Sequence, residues 1–405
     1  MDDASGTPHN GAIMLDTRPT AGTCTFWGGA LSLFSGKVRS YLIKKGVAYR
    51  EYYASHPDFQ ARVRPLVRLG VTPILETPEG DVLQDSTAII EHLEGRGGPR
   101  PMIPATPVQR IVAWLLDAYG TEHLMLPAMH YRWYGPHLDR QREFLNAEFG
   151  RVSYLGDDRQ ARNEAGARMI AYFSGAYATM GGNAETAPAI EASYLDLLER
   201  LDLHFQHVPY LLGGHPSIAD FGLMAPLYAH LGRDPAPAAI MAARAPNVAR
   251  WKERMNLAVL GDAEYPDLPA AFPPDDALPP TLLPVLELMF SDWTAELEAI
   301  VACYNGWIAA NPALPAGQLV CLDGKRRVHP TLGPIEYALR GATIRRASQP
   351  QTLWHFDKAA ALARVLTGTD RERFDALMRG VGGERAMSLR LARPIVRSDY
   401  VLAVG

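Results

Sequence analysis

Cysteine is scarce in this sequence, and long apolar runs are missing. The three cysteines, Cys24, Cys303 and Cys321, are odd in number and far apart among 405 residues, so they indicate neither a disulfide framework nor a metal-ligand cluster. We therefore expect a reducing, cytoplasmic location and no metal site. No apolar stretch is long enough to span a bilayer, and the amino terminus lacks the basic and apolar regions of a secretory signal. We expect no membrane attachment.

A strong net charge is also missing. The 40 Lys and Arg residues nearly balance the 44 Asp and Glu residues, which leaves a formal charge of -4. Such a balance gives no general attraction to nucleic acid or to an anionic membrane, so small molecules or other proteins are the expected partners. What the chain does have is a 47% share of hydrophobic residues, which over this length can form the cores of two or three domains.

Short strand and helix patterns alternate in the first part of the chain. Residues 1–22 are rich in Gly, Thr, Pro and Asp without periodicity, and we expect a flexible tail there. The sequence then predicts a strand over 23–27, a helix over about 35–45 and a second strand over 49–53. Residues 72–83 predict an antiparallel hairpin. This order is the opening of an α/β domain.

Helical periodicity dominates the rest of the chain. Apolar residues recur every three to four positions through 105–258, which predicts an all-α domain. Within it, Ser217 and Asp220 have the spacing of a capping box, which we assign to folding. A linker rich in Pro and Asp follows at 259–280. The remaining 281–405 are expected to form a mostly helical extension.

Two serines, Ser32 and Ser35, lie three residues apart at the predicted start of the first helix. Serine is a preferred N-cap residue, so Ser32 has a purely structural interpretation. A serine at this position also donates a hydrogen bond to a thiolate supplied by another molecule, and the free amides of the helix start favour the same anion. With serine at both positions, dithiol-disulfide exchange is disfavoured here.

The order of these features resembles the thioredoxin-like domain of glutathione transferases. Further marks lie at the proline before the hairpin, at the start of the next helix and in the α region: Thr72-Pro73, Asp85-Ser86, Tyr210–Phe221 and Pro246–Trp251. The resemblance covers roughly 23–256. It implies an α/β thioredoxin-like N-terminal domain over 23–98, followed by an all-α glutathione-transferase C-terminal domain over 105–258.

The resemblance also implies glutathione as co-substrate and assigns roles to residues. Pro73 would follow a cis peptide bond, and the backbone of Thr72 would pair with the cysteinyl part of glutathione. Asp85 would meet the ammonium group of the γ-glutamyl end, while Ser86 and the helix-start amides would meet its carboxylate. Ser32 would contact the thiol.

Some positions depart from the family pattern or stay open. Ser35 is a second candidate for the thiol contact. Leu33 stands where many relatives have proline, and Val71 stands where many have lysine or glutamine. We keep Val71 and Arg68 in the predicted glutathione-binding set. The glycyl carboxylate then needs another partner, and the candidates are Arg68, Arg64 and His56.

A cluster of aromatic and sulfur-containing side chains follows the first long helix of the α region. Four of its members are predicted to line the pocket for an apolar electrophile: Tyr119, Met129, His130 and Trp133. Ordinary packing between helices is the alternative interpretation, and it explains the same residue types.

The sequence therefore predicts a glutathione transferase-like enzyme, dimeric as its relatives usually are. It would activate the glutathione thiolate for attack on an apolar electrophile, by conjugation or thiolytic cleavage. The alternative is a weakly catalytic or non-catalytic binding protein that recruits a partner through its extension. Leu33 and Val71 favour the alternative, whereas the Asp85-Ser86 pair argues against it. Nucleic-acid binding rests only on arginines near the carboxy terminus, which salt bridges or a solvated face explain more simply.

Overall fold

A four-stranded mixed sheet forms from the first part of the chain in the computed structural model, which describes residues 16–405. Its strands are β1 (Cys24–Trp27), β2 (Tyr49–Tyr52), β3 (Ile74–Glu76) and β4 (Val82–Gln84), in the order β2-β1-β3-β4. Strands β1 and β2 are parallel, and the other pairs are antiparallel. The parallel pair requires a crossover, which helix α1 (Leu33–Lys45) supplies.

Both faces of this sheet are covered. On one face, α1 and helix α3 (Ser86–Gly95) share an apolar core with Phe26 and Leu75. On the other face, Trp27 and Ile74 pack against a π-helical turn at Phe59–Val63 and the short helix α2 (Arg64–Val67). Burial on both sides explains why β1 is apolar without alternation.

Of the predicted tail at 1–22, the structure describes only 16–22, because 1–15 lie outside the described residues. Thr17 is buried, its carbonyl accepts a hydrogen bond from Thr25 Oγ1, and its hydroxyl donates to Asp58 Oδ2 over 2.6 Å.

An all-α region follows, as predicted. Its helices, in chain order, are α4 (Pro107–Ala118), α5 (Met125–Trp133), α6 (Gly135–Ser153), α7 (Arg159–Ser174), α8 (Ala176–Thr179), α9 (Ala187–Phe205), α10 (Ile218–Ala229), α11 (Pro235–Arg244) and α12 (Pro246–Met255). A π-helical turn at Tyr119–His123 joins α4 to α5. Helix α10 packs against both α1 and α4, which joins the α region to the sheet region.

The carboxy-terminal extension is mostly helical, as predicted, but it also contains two antiparallel hairpins. Its helices are α13 (Leu283–Ala310), α14 (Pro350–Arg364), α15 (Gly368–Gly380) and α16 (Glu384–Ser388), and its strands are β5 (Pro334–Leu339), β6 (Ala342–Ala347), β7 (Ile395–Ser398) and β8 (Val401–Val404). Helix α14 packs on α4. Trp293 of α13 packs edge to face on Tyr119. The extension therefore shares a core with the α region.

No helix among residues 16–405 is long and apolar enough to cross a membrane.

Candidate functional site

The turn after β1 presents Ser32 at the amino end of α1. Ser32 is the N-cap residue, and its Oγ accepts a hydrogen bond from the Ser35 amide over 3.2 Å. Because that bond uses the oxygen as an acceptor, the hydroxyl hydrogen of the half-buried Ser32 is left to donate elsewhere. The Ser35 side chain is fully buried, and its Oγ has no hydrogen-bond partner among residues 16–405. Ser32 is therefore the more accessible of the two.

The segment before β3 holds the Thr72-Pro73 pair. The peptide bond between Thr72 and Pro73 is cis, as the resemblance implied. Thr72 lies outside the strands and makes no backbone hydrogen bond within the described residues. Its amide and carbonyl are thus available to an extended ligand, in the manner of an added strand.

Asp85 and Ser86 form the start of α3. Asp85 has a positive φ of 85°, and its Oδ1 accepts hydrogen bonds from the amides of Thr87 and Ala88, over 2.9 and 3.2 Å. Its other oxygen, Oδ2, faces away from the helix. Burial acts to raise the pKa of Asp85, but the Arg397 guanidinium offsets this and the pKa lies below its usual value. Asp85 therefore stays an anion at neutral pH.

The strand register brings these three segments to one edge of the sheet. Trp27, the last residue of β1, is opposite Ile74, the first residue of β3, and Ile74 is opposite Gln84, the last residue of β4. Pro73 and Asp85 adjoin Ile74 and Gln84 in the chain, and the turn that carries Ser32 begins directly after Trp27. The sequence-predicted thiol and glutathione contacts therefore lie on segments that leave the same end of the sheet.

The extension reaches the same edge. Gln351 of α14 donates from Nε2 to Asp85 Oδ2 over 3.1 Å. Arg397 of β7 donates to the side chain of Gln84, with its Nη1 3.9 Å from Asp85 Oδ2. The Tyr400 hydroxyl donates to the Val82 carbonyl over 3.1 Å.

Among the predicted glycyl-carboxylate candidates, Arg68 contacts the extension. Arg68 forms an ion pair with Asp399, at the tip of the β7–β8 hairpin. Arg326 pairs with the same carboxylate over 2.9 Å. Val71 packs in an apolar cluster with Tyr400. Residues of the extension therefore contact both the Asp85 and the Arg68 ends of the predicted glutathione site.

A buried polar cluster lies between α1, α4 and α14, and the sequence analysis did not find it. Lys37 Nζ lies 2.5 Å from Asp117 Oδ1 and donates to Thr87 Oγ1 over 2.7 Å. His355 Nε2 lies 3.3 Å from Glu122 Oε1. Burial raises the pKa of Glu122 to about 8, and burial holds the pKa of His355 well below its usual value. The sequence did contain a signal for this cluster, because charged residues interrupt apolar stretches of the predicted helices.

The predicted electrophile residues are almost fully buried. Tyr119 and His130 have no exposed surface, and Trp133 and Met129 are 5% and 9% exposed. Met129 and Trp133 share an apolar cluster with Leu31, the residue next to Ser32. Their role as a substrate wall stays a prediction.

A cavity of about 400 Å³ opens beside the serine turn. Ala30 borders it, and aromatic and charged side chains complete it: Arg39, Glu51, Tyr52, Tyr53, His56, Leu155 and Tyr228. Arg39 and Glu51 form an ion pair on its wall. None of the four predicted electrophile residues lines this cavity.

Most arginines of the basic stretch in the extension are held in internal ion pairs. Arg340 pairs with Asp292 and Asp196, and Arg346 pairs with Glu296 in the core. Three more pair at the surface: Arg326 with Asp399, Arg327 with Asp323 and Arg345 with Glu336. The salt-bridge interpretation therefore accounts for these side chains.

A thioredoxin-like sheet region with a cis proline, followed by an all-α region, defines the class of fold. Residues 28–101 match the family described as glutathione S-transferase, N-terminal domain. Residues 28–101 therefore form a domain of the glutathione S-transferase N-terminal type.

Solved structures of similar fold cover about three fifths of the chain. A glutathione S-transferase of Methylobacillus flagellatus KT with glutathione bound is 17% identical, with 60% of this chain and 98% of that chain covered and a TM-score of 0.33. The β-etherase LigF of Sphingobium sp. SYK-6 is 18% identical, with 57% and 94% covered and a TM-score of 0.39. A glutathione S-transferase of Pseudomonas fluorescens Pf-5 is 20% identical, with 60% and 98% covered and a TM-score of 0.33. Comparison with curated proteins gives no match.

Proposed function

We propose that this chain is a glutathione transferase-like enzyme that activates the glutathione thiolate for attack on an apolar electrophile. The observation that supports the proposal is the strand register, because the segments that carry Ser32, Thr72 and Asp85 adjoin strand residues at the same end of the sheet. Ser32 and Asp85 each cap a helix, so it is their convergence with the Thr72 backbone, unpaired among residues 16–405, that favours a ligand.

In this proposal, each end of glutathione has a partner. Asp85 binds the ammonium group, and Ser86 with the first amides of α3 binds the γ-glutamyl carboxylate. The Thr72 backbone pairs with the cysteinyl residue. Arg68 is the partner for the glycyl carboxylate, with Val71 packed beside it.

Ser32 would stabilise the thiolate by hydrogen bonding. Lowering a thiol pKa from about 8.5 by about two units requires about 2.7 kcal/mol of preferential thiolate stabilisation. A hydrogen bond to a charged group contributes about 1.5–3 kcal/mol, and the amino end of α1 adds about 0.3–1 kcal/mol. Together these contributions reach the required magnitude without a general base.

The electrophile would bind on the side of the serine turn that faces the α region. The cavity bordered by Ala30 offers the space there, and Tyr52, Tyr53 and Tyr228 line it with aromatic surface. Attack of the thiolate on an electrophilic carbon forms a C–S bond while the leaving group departs or the substrate double bond accepts the electron pair. We propose further that the enzyme acts as a cytoplasmic homodimer.

A second candidate function is a binding protein with weak or no catalysis. The observation in its favour is the position of the extension, whose Gln351 already donates to Asp85 Oδ2. If that contact is permanent, glutathione has no access to the carboxylate, and the fold would serve a partner instead.

Titration calorimetry with glutathione separates the two candidates. The purified chain, Ser32→Ala and Ser35→Ala are titrated, and the ultraviolet absorbance of the bound thiolate is followed against pH. We expect Ser32→Ala to raise the pKa of the bound thiol, whereas Ser35→Ala, the matched serine in the same helix, leaves it unchanged. No binding at millimolar glutathione would favour the binding-protein function.

A further inference from the structure

Two histidines and one glutamate converge in the α region. His130 of α5 and His137 of α6 direct their Nε2 atoms at the same oxygen, Glu191 Oε1 of α9, over 2.9 and 3.1 Å. The three atoms all lie within 4.8 Å of one another. Three ligands bound at about 2.0–2.2 Å in a tetrahedral site lie about 3.4 Å apart, so small shifts suffice to surround a cation.

The surroundings of this triad are those of a metal ligand set. His130 Nδ1 lies 2.6 Å from the Tyr177 hydroxyl, which fixes the ring orientation in the way that outer hydrogen bonds orient ligating histidines. Tyr134 stacks on the His130 ring at 4.9 Å. His137 Nδ1 is buried and has no hydrogen-bond partner among residues 16–405. Glu191 keeps 37% of its side chain exposed, which leaves an open side for water.

Imidazole nitrogens and a carboxylate oxygen are the ligand types that zinc accepts.

We propose that His130, His137 and Glu191 form a binding site for one divalent transition-metal ion, with zinc the ion that fits their chemistry. The ion would connect three helices, α5, α6 and α9. Because the fourth position faces solvent, water would complete the coordination.

Zinc titration with cobalt substitution tests the site. The metal-free chain is titrated with Zn²⁺, and Co²⁺ is added for its visible tetrahedral spectrum. We expect one ion per chain, and at least tenfold weaker binding in His137→Gln and Glu191→Gln. The control is His207→Ala, which removes an exposed histidine in the same region and should bind like the parent. Absence of stoichiometric binding, or binding that both variants retain, would overturn the proposal and leave the triad as hydrogen bonds only.

A second, independent observation concerns the β7–β8 hairpin, and it rests on the proposed function. Its tip is a tight turn in which Asp399 and Tyr400 have positive φ values of 48° and 66°. The turn presents opposite charges at two places: Arg397 near Asp85, and Asp399 at Arg68 and Arg326. In the proposed glutathione complex, Asp85 binds an ammonium group and Arg68 binds a carboxylate. Arg397 and Asp399 thus place a positive and a negative charge where the ammonium and carboxylate groups of glutathione would bind.

We infer that the hairpin tip occupies the glutathione cleft and competes with glutathione for it. The contact between Arg68 and Asp399 is weak enough to exchange, because both side chains are about half exposed and surface ion pairs of this kind add little stability. The base of the hairpin is anchored by the buried side chains of Ile395 and Val404, and Val401 is buried directly beside the tip. Opening would therefore be a local movement of the tip.

This inference is tested by measuring the glutathione affinity of a variant in which the tip contacts are removed. In the double variant Arg397→Ala with Asp399→Ala, we expect glutathione to bind about tenfold more tightly than in the parent chain. Arg385→Ala, which breaks an exposed pair with Glu298 elsewhere in the extension, should bind like the parent. Hydrogen exchange of 395–404 should accelerate in the parent when glutathione is added.

The two ways of failing are distinguishable. Equal affinity in parent and double variant, with exchange of 395–404 unchanged by bound glutathione, would overturn the competition and leave the proposed function intact. No binding by either chain would overturn the proposed function together with the competition.

Discussion

Lys37 of α1 and Asp117 of α4 form a buried ion pair with 2.5 Å between Nζ and Oδ1, and both side chains are at most 1% exposed. Lys37 also donates to Thr87 and Thr121. The helix that begins at the serine turn is thus held by charge and hydrogen bonds against α3 and the start of the α region. This contact fixes the turn that carries Ser32 relative to the second half of the proposed site.

Removing one partner of this pair should strongly destabilise the protein. Lys37→Met leaves the Asp117 carboxylate buried without its counter-charge, and such a change costs about 3–5 kcal/mol. The double variant Lys37→Met with Asp117→Leu should recover most of that loss, because no unpaired charge remains. Urea unfolding measures all three chains. Arg142→Ala, which breaks an exposed pair with Asp139, is the control and should change stability little; an equal effect of Lys37→Met and Arg142→Ala would contradict the argument.

Glu122 should make stability depend on pH. Burial raises its pKa to about 8 in the folded chain, whereas an unfolded glutamate releases its proton near 4.3. Between these values the folded state binds more protons, so the free energy of unfolding falls as pH rises from about 4.3 to 8. Glu122→Gln mimics the protonated side chain and should flatten this fall.

Denaturant unfolding from pH 5 to 9 checks the Glu122 prediction. Glu185→Gln, which changes an exposed glutamate, should keep the parent's pH dependence. A Glu122→Gln profile as steep as the parent's would mean that other groups cause the fall.

Replacing glycine by alanine should destabilise the protein at a helix crossing and stabilise it where the added Cβ lies in open space. A Cβ on Gly120 would lie 2.6 Å from the carbonyl group of Gly222, which is backbone and cannot turn aside. Gly120→Ala should therefore cost about 1–3 kcal/mol through overpacking. Gly306 lies within α13 with nothing within 4 Å of its added Cβ, so Gly306→Ala should stabilise by about 0.5–1 kcal/mol. Thermal unfolding of both variants gives the two signs, and a shared sign would refute the crossing argument.

Local patterns in the sequence predicted the parts of the site that local geometry determines. The serine turn depends on a few consecutive residues, and the cis Thr72-Pro73 bond was implied by the family resemblance, which itself rests on short motifs. The pairs Lys37–Asp117 and Asp85–Gln351 could not be predicted in this way, because each joins side chains far apart in the chain. Their positions follow only once the helices have packed.

In the extension, too, local patterns predicted some features, whereas others depend on how the chain packs. The mostly helical character of 281–405 was predicted from periodicity, but neither the β5–β6 hairpin nor the β7–β8 hairpin was. A pattern was present, since Ile335, Tyr337 and Leu339 alternate with exposed residues along β5. No local pattern indicates that the β7–β8 hairpin would lie beside Asp85 and Arg68, because that position depends on how the whole extension docks.

Substitution of Asp220 tests whether the capping box of Ser217 and Asp220 serves folding. The carboxylate is fully buried and accepts hydrogen bonds from the amides of Leu211 and Ser217 and from Trp251 Nε1. Asp220→Ala leaves three buried donors without a partner, and each costs about 1–3 kcal/mol, so we expect a loss of roughly 3 kcal/mol or more. Asp158→Ala removes an exposed N-cap at α7 and should cost only about 1 kcal/mol. If urea unfolding gave equal losses for the two variants, burial would not be the reason for the importance of Asp220, and a role beyond folding would have to be considered for it.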